Sequence, residues 1–293
     1  MSQNKFVQEF TAEEATAVKE LKSQLPDILK AASPETGDAP LNSLWGVPLE
    51  AESTDERLEV ILVKFLRARK LDITEARTML TNTLIWRKKF NADNLLNEQF
   101  DEAVFAPVGY LHKTDKFGRP VTYNVYGGKV DLAKVFADKD KFVRWRVQLM
   151  EKGVAEIDFV NIDTMIQVHD YEGVSIFSRN ASTKAATKEL INLMQDNYPE
   201  MLTKKFFINI PSWGSTIFKL VRPLLAEETV KKFVICSSGE SKAALLEQIN
   251  PENLPKQYGG QSEVKQEDIQ SEKVNHPAVP NEEPIEEDTL GVD

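Results

Sequence analysis

The sequence predicts an α/β fold in which a helical N-terminal module precedes a domain built on a mostly parallel sheet. Apolar positions in the first 100 residues recur with the period of amphipathic helices. After about residue 105, short β-rich runs alternate with helical stretches, which is typical of βαβ units. We therefore expect a helical module over 1–100, an α/β domain over 101–260 and a disordered acidic tail over 261–293.

Two helix starts are visible in the N-terminal module. Ser53 and Glu56 have the spacing of a capping box, and the residues that follow place an apolar stripe on one helix face. Asp72 with Glu75 marks a second start, ahead of another periodic segment. The segment 33–48 contains several Pro and Gly residues and is predicted to be a connecting loop.

The second part of the chain alternates between predicted strands and helices. The predicted strands are 121–126, 164–171, 206–210 and 233–236, and the helical stretches are 141–151, 181–195 and 217–225. A turn over 117–120 leads into the first strand. The helix predicted over 217–225 has apolar residues at positions i, i+3, i+4, i+7 and i+8, so it is amphipathic.

Composition narrows the class of protein. Ten acidic residues and two lysines over 261–293 account for −8 of the net charge of −10, so the body is nearly neutral and shows no basic face for nucleic acid. No run of about 18 apolar residues indicates a membrane span, and residues 1–10 do not resemble a secretory signal. The single cysteine, Cys236, excludes an internal disulfide. We expect a soluble, cytoplasmic protein.

Few residues are available for catalysis. The sequence has neither a G-x-G-x-x-G nor a G-x-x-x-x-G-K-[ST] motif to bring backbone amides onto phosphates. Its three histidines are His112, His169 and His276, too few for a multi-histidine metal site and little material for a hydrolytic triad. We therefore expect a binding protein rather than an enzyme.

The strand predicted over 164–171 carries unusual polar residues. Period-2 alternation places Met165, Gln167, His169 and Tyr171 on one face, with the last two about 7 Å apart. Tyrosinate is an axial ligand to haem iron in some proteins, and a neighbouring histidine orients such a ligand by hydrogen bonding. The alternative is that both side chains are ordinary residues of a polar pocket.

Several motifs occur together and in order: FLRARK at 65–70, HKTDKFGRPV at 112–121, NYPEML at 197–202 and LPKQYGG at 254–260. In this combination the chain resembles the CRAL-TRIO lipid-binding proteins. The resemblance implies a sheet floor under an apolar cavity that is closed by a mobile gate helix. The amphipathic segment 217–225 is the candidate gate, and an ordinary helix packed on a core is the alternative.

Yeast-type members of that family exchange phosphatidylinositol. The residues here that match their headgroup contacts are Arg69, Glu200, Thr229 and Lys232. Cationic side chains suit a phosphate, and a carboxylate accepts from inositol hydroxyls. Taken singly, each of these residues is more typical of a surface or helix-capping position than of a ligand site. Where relatives that also bind phosphatidylcholine carry small hydroxyl residues, this chain has Met165 and Gln167, which argues against choline lipids.

The segments 140–153 and 167–175 resemble the haem-binding branch of the fungal phosphatidylinositol transfer proteins. The resemblance implies that Tyr171 ligates the iron of haem b with His169 beside it. It also implies that Arg146 and Lys205 approach the haem and that Tyr126 lines it.

We therefore expect non-enzymatic transfer of phosphatidylinositol with haem as a second ligand, and transient contact with membranes such as the endoplasmic reticulum. No pattern indicates an oligomeric state. The rivals are a lipid-transfer protein without haem and a haem-dependent redox enzyme, for which no second histidine offers an acid–base group.

Overall fold

The computed structural model describes residues 4–36, 41–128, 130–174, 181–210 and 227–265. The predicted gate over 217–225 lies outside the described residues, as does the tail after residue 265. Within the described ranges, no helix is both long and apolar enough to cross a membrane.

The N-terminal part is helical, as the sequence predicts. Its helices are α1 (Lys5–Gln8), α2 (Ala12–Ser23), α3 (Leu25–Thr36), α4 (Glu56–Ala68) and α5 (Ile73–Phe90). The predicted capping box at Ser53 is wrong: Asp55 caps α4 by accepting from the Arg57 amide at 3.0 Å, and the Ser53 hydroxyl accepts from the Asp55 amide. The predicted start at Asp72 is confirmed, since its carboxylate accepts from the Glu75 amide at 2.9 Å.

The predicted loop over 33–48 is wrong in part. Helix α3 continues to Thr36, and a short antiparallel hairpin follows, formed by β1 (Ser43–Leu44) and β2 (Val47–Pro48). Its turn places Trp45 and Gly46 at positive φ, a conformation that suits glycine. The Trp45 ring lies 6.2 Å from the rings of both Phe65 of α4 and Tyr198, so it joins the helical module to the second part of the chain.

Within the described residues, the second part is built on a five-stranded sheet. Its strands are β3 (Gly109–Thr114), β4 (Pro120–Val125), β5 (Met165–Asp170), β6 (Leu202–Ile208) and β7 (Phe233–Ile235), in the spatial order β3-β4-β5-β6-β7. Strand β3 is antiparallel to β4, and the other neighbours are parallel. The prediction of a mostly parallel sheet is confirmed, and β3 is an antiparallel edge strand that the sequence analysis missed.

Helices cover both faces of the sheet. They are α6 (Glu102–Phe105), α7 (Leu132–Val135), α8 (Lys139–Ala155), α9 (Ala181–Asn197), α10 (Glu227–Lys231) and α11 (Ser238–Gln248). Ile166 and Val168 of β5 share a core cluster with Leu245 of α11. On the opposite face, Met165 packs so closely on Gly153 of α8 that a Cβ there would lie 2.8 Å from the Met165 sulfur. The predicted alternation along β5 is therefore confirmed.

A buried charge network ties α8 to the N-terminal module. The guanidinium of Arg87, on α5, is 2% exposed and donates to both carboxylate oxygens of Glu151 on α8, at 2.7 and 3.1 Å. The Tyr198 hydroxyl donates to the same carboxylate. Asp93 accepts from the other side of the guanidinium. The network fixes the orientation of α8, which faces the polar residues of β5.

Candidate functional site

An aromatic cluster lies at the carboxyl ends of β4, β5 and β6. The His169 ring stacks on Tyr126 at 5.8 Å and on Phe207 at 5.4 Å between centroids. Tyr171 lies 5.3 Å from Tyr126 and 6.3 Å from Phe207. Strand register explains the grouping, because His169 pairs directly with Phe207 across β5 and β6. The structure thus brings together three of the predicted ligand-binding residues, Tyr126, His169 and Tyr171.

The imidazole of His169 is buried among polar neighbours. Its Nε2 atom lies 3.3 Å from the Gln167 amide oxygen and 3.5 Å from the Asn124 amide nitrogen. Burial lowers the pKa of His169 well below its usual range, and the positive charges of Lys205 and Arg146 lower this pKa further. The ring is therefore neutral at physiological pH and suited to hydrogen bonding rather than to carrying charge.

Two predicted cations adjoin this cluster. Arg146 of α8 is 3% exposed and donates to the Asn124 side-chain oxygen, while its buried Nε has no hydrogen-bond partner. The Lys205 ammonium lies 5.5 Å from the centre of the Phe207 ring. Burial, assisted by the charge of Arg146, lowers the pKa of Lys205 to about 7. Across the described parts of the chain, no carboxylate forms an ion pair with either cation.

The predicted headgroup residues lie elsewhere. Lys232 Nζ is 2.5 Å from a carboxylate oxygen of Glu200, and both side chains are partly exposed. Arg69 is half-buried at the end of α4, and its guanidinium donates to the Ala68 carbonyl at 3.1 Å. The backbone of Thr229 lies in α10, but its side chain is outside the described part of the structure. The structure therefore unites two of the four predicted residues.

The two groups occupy opposite ends of the parallel strands. Glu200 and Lys232 precede β6 and β7, whereas Tyr171 follows β5. Leu202 and Phe207, at the two ends of β6, are roughly 16 Å apart at a rise of about 3.3 Å per residue. The predicted residues therefore form two separate groups. One is the ion pair at the amino ends of the strands, and the other is the aromatic and cationic cluster near the carboxyl ends, here called the carboxyl-end pocket.

Comparison with known proteins assigns the fold to a family. The CRAL/TRIO domain matches residues 107–260, and the CRAL/TRIO, N-terminal domain matches residues 17–82. The chain belongs to the CRAL/TRIO family. This confirms the resemblance drawn from the FLRARK and NYPEML motifs.

Two CRAL/TRIO relatives and one solved structure show the range of similarity. The phosphatidylinositol transfer protein SFH5 of Cryptococcus neoformans var. neoformans serotype D is 38% identical over 264 residues, covering 83% of this chain and 86% of that protein. Patellin-5 of Arabidopsis thaliana is 39% identical over 233 residues, covering 77% of this chain but 34% of its own length. The crystal structure of Sfh5 superimposes with a TM-score of 0.76 at 28% identity and covers 91% of this chain and 93% of that one. The chain spans less than two thirds of the length of several other relatives.

Residues that the sequence analysis did not single out complete both sites of this CRAL/TRIO chain. Phe207 and Asn124 join the carboxyl-end pocket, and Lys64 and Asp163 lie beside Glu200. Their contacts cross strands or join distant segments, so they depend on register rather than on local pattern. The sequence offered one signal, Lys64 itself, because it is a charged residue within the otherwise apolar run 60–66.

Proposed function

We propose that this protein binds phosphatidylinositol and transfers it between membranes without catalysing a reaction. The Glu200–Lys232 pair carries the proposal, because it is partly exposed and offers an ammonium for a phosphate and a carboxylate for inositol hydroxyls. The name of the Cryptococcus relative, a phosphatidylinositol transfer protein, supports the same lipid. Arg69 and Thr229 are proposed as further headgroup contacts.

Binding the lipid at this pair requires an exchange of partners. At 2.5 Å, the Lys232 ammonium already contacts an anion, the carboxylate of Glu200. An incoming phosphate would share or replace that contact, while the freed carboxylate accepts from ring hydroxyls. The pair therefore stabilises each charge until a headgroup arrives, which limits the desolvation cost of binding.

Delivery would take place at a membrane surface. We propose a cytoplasmic protein that associates peripherally with membranes such as the endoplasmic reticulum. The amphipathic segment 217–225 is the proposed gate, because an apolar stripe of this kind can cover a lipid chain or lie in an interface. In the sequence it ends two residues before the start of α10 and seven residues before Lys232.

We propose haem b as a second ligand in the carboxyl-end pocket. The pocket suits it, since Arg146 has a buried, unpartnered Nε and neither Arg146 nor Lys205 forms an ion pair with a carboxylate of the described ranges. Haem would supply an iron centre and two propionate carboxylates. Tyr171 would hold the iron, the neutral His169 would orient it, and the two cations would receive propionates.

A haem-dependent redox enzyme is an alternative function that the pocket supports less well than haem binding without catalysis. It would need an acid–base group above the iron. The lowered pKa of His169 leaves the ring without an extra proton to donate at neutral pH and makes it a weak base. His112 hydrogen-bonds Ser262 at 2.9 Å on a different part of the sheet. A lipid-transfer protein without haem is the other alternative, and it predicts a colourless preparation.

Two measurements on the purified full chain test these proposals separately. The first is transfer of labelled phosphatidylinositol from donor to acceptor phosphatidylcholine vesicles, and no transfer above the spontaneous rate would refute the lipid function. The second is the absorption spectrum after expression with an adequate supply of haem. Absence of a Soret band would refute the haem proposal and leave the lipid proposal standing.

A further inference from the structure

The backbone of Glu200 is held in an unfavourable conformation. Its φ is +52°, in the left-handed region that is unfavourable for a residue with a side chain. The residue lies in the short connection between α9 and β6, one residue after Pro199. Such a conformation persists only where neighbouring contacts stabilise it. A contact that stabilises it here also decides where the Glu200 carboxylate points.

Lys64 makes such a contact. It lies on α4, is 1% exposed, and donates from its ammonium to the Glu200 carbonyl at 3.1 Å. The same ammonium donates to a carboxylate oxygen of Asp163 at 3.0 Å. One buried cation therefore fixes the main chain of Glu200 and the segment that leads into β5.

Stability alone is a weak explanation for this buried lysine. Burial lowers the pKa of Lys64, and the nearby charge of Asp163 opposes that change. The cost of removing an ammonium from water often exceeds the gain from a buried ion pair, and an apolar side chain of similar volume would pack there as well. An apolar side chain could not donate the hydrogen bond that Lys64 makes to the Glu200 carbonyl.

We propose that Lys64 is a positioning residue for the phosphatidylinositol headgroup. The inference rests on the proposed function, in which Glu200 and Lys232 contact that headgroup. By holding the Glu200 carbonyl, Lys64 keeps this residue in its left-handed conformation and keeps its carboxylate beside Lys232, 2.5 Å away. Lys64 acts through Glu200 and does not itself contact the lipid. Because α4 belongs to the N-terminal module, that module shapes the headgroup site directly.

The central variant combines Lys64→Met with Asp163→Asn, so that neither partner is left as a lone charge. We expect phosphatidylinositol transfer between phosphatidylcholine vesicles to fall roughly tenfold, the loss expected when a charged hydrogen-bond partner is misplaced. The matched control combines Lys22→Met with Glu59→Gln. Lys22 makes the same two kinds of contact, to the Ser53 carbonyl at 2.8 Å and to Glu59 at 3.1 Å. The control should transfer at the native rate.

A double-mutant cycle separates positioning from a general loss of stability. If Lys64 acts through the Glu200 carboxylate, the Lys64→Met and Asp163→Asn changes should have no further effect in a Glu200→Gln background. A persisting decrease in that background would overturn the proposal, because it would show an effect independent of Glu200. Native transfer by the central variant, alongside weakened transfer by Glu200→Gln, would overturn the positioning role and spare the proposed function. Failure of the unmodified protein to transfer phosphatidylinositol would overturn both.

Discussion

At the scale of single residues, the two sites use charge in opposite ways. Lys232 and Glu200 neutralise each other at the surface, so a ligand meets a site whose charges are already compensated. Arg146 and Lys205 both adjoin the aromatic cluster and form no ion pair with a carboxylate of the described ranges, and the charge of Arg146 helps to lower the pKa of Lys205. The Glu200–Lys232 pair suits a headgroup that exchanges contacts with both charges. Arg146 and Lys205 suit the binding of an anion.

Lys232→Ala should lower phosphatidylinositol transfer about tenfold. The substitution removes a charged hydrogen bond of roughly 1.5–3 kcal/mol to the headgroup and leaves a partly exposed Glu200 that water can solvate. Vesicle transfer measures the effect. Lys256→Ala is the control, because Lys256 forms an exposed pair with Glu263 away from the site and should transfer normally. Equal transfer by both variants would place the headgroup elsewhere.

Tyr171→Phe should abolish iron ligation while preserving the aromatic packing against Tyr126. The substitution keeps the ring and removes the oxygen, so the Soret band should be lost with little change in the far-UV circular dichroism. His169→Ala should shift the spectrum without eliminating it, because the histidine orients the ligand rather than binding iron. An unchanged spectrum for Tyr171→Phe would assign the iron to a different residue.

The advantage in haem affinity that the native protein has over Lys205→Met should shrink as the pH rises above about 7. The lowered pKa of Lys205 means that its ammonium is charged below about pH 7 and loses its proton above it, whereas propionates stay ionised throughout. The ratio of the two affinities should fall about tenfold between pH 6 and 9, measured by haem titration of both proteins. Iron binding by Tyr171 releases the phenol proton in both proteins, so that contribution cancels in the ratio. A ratio that stays constant with pH would show that Lys205 does not contact a propionate.

At the scale of elements, α8 connects the helical module to the sheet. Arg146, near the middle of α8, contacts Asn124 beside the carboxyl-end pocket. Glu151, in the carboxyl-terminal half of α8, joins the network with Arg87 and Tyr198. The orientation of α8 therefore depends on ion pairing with a helix far away in sequence. Loss of that pairing would affect both folding and the pocket cations.

Arg87→Met should destabilise the protein by about 3–5 kcal/mol. The substitution leaves the buried Glu151 carboxylate with Tyr198 alone, and an unpaired buried charge is costly. Urea unfolding measures the change. Glu189→Gln removes a partner from the exposed pair with Lys139 and should leave the midpoint nearly unchanged. Similar midpoints for the two variants would show that the network contributes little.

Periodicity and capping signals in the sequence predicted most helices and strands correctly, but they predicted the first and last residues of these elements less accurately. The parallel strands and the start of α5 at Asp72 followed from period and capping signals. The cap of α4 was misplaced from Asp55 to Ser53 because both residues offer a side-chain oxygen, and only the backbone path decides between them. Strand β3 was missed because its pairing with β4 supplies the stabilisation that its own composition does not indicate.

At the scale of the whole molecule, the site could be predicted only as far as its residues match family motifs. The alternation along β5 correctly placed His169 and Tyr171 on the face opposite the α11 core. The contacts of Phe207 and Lys64 could not be foreseen, because they depend on which residues meet across strands or between distant segments. Strand register and long-range packing are properties of the complete fold, so short sequence patterns do not predict them.

The strand order also bears on how the chain is assembled. Each strand of the sheet adds to the outer edge of the one before it, from β3 through β7. The β3–β4 hairpin is local, so we expect it to close before the later strands, each of which follows a longer crossover segment. No strand in this sheet has to insert between two that are already paired. The sheet can therefore grow in one direction while the polypeptide is still leaving the ribosome.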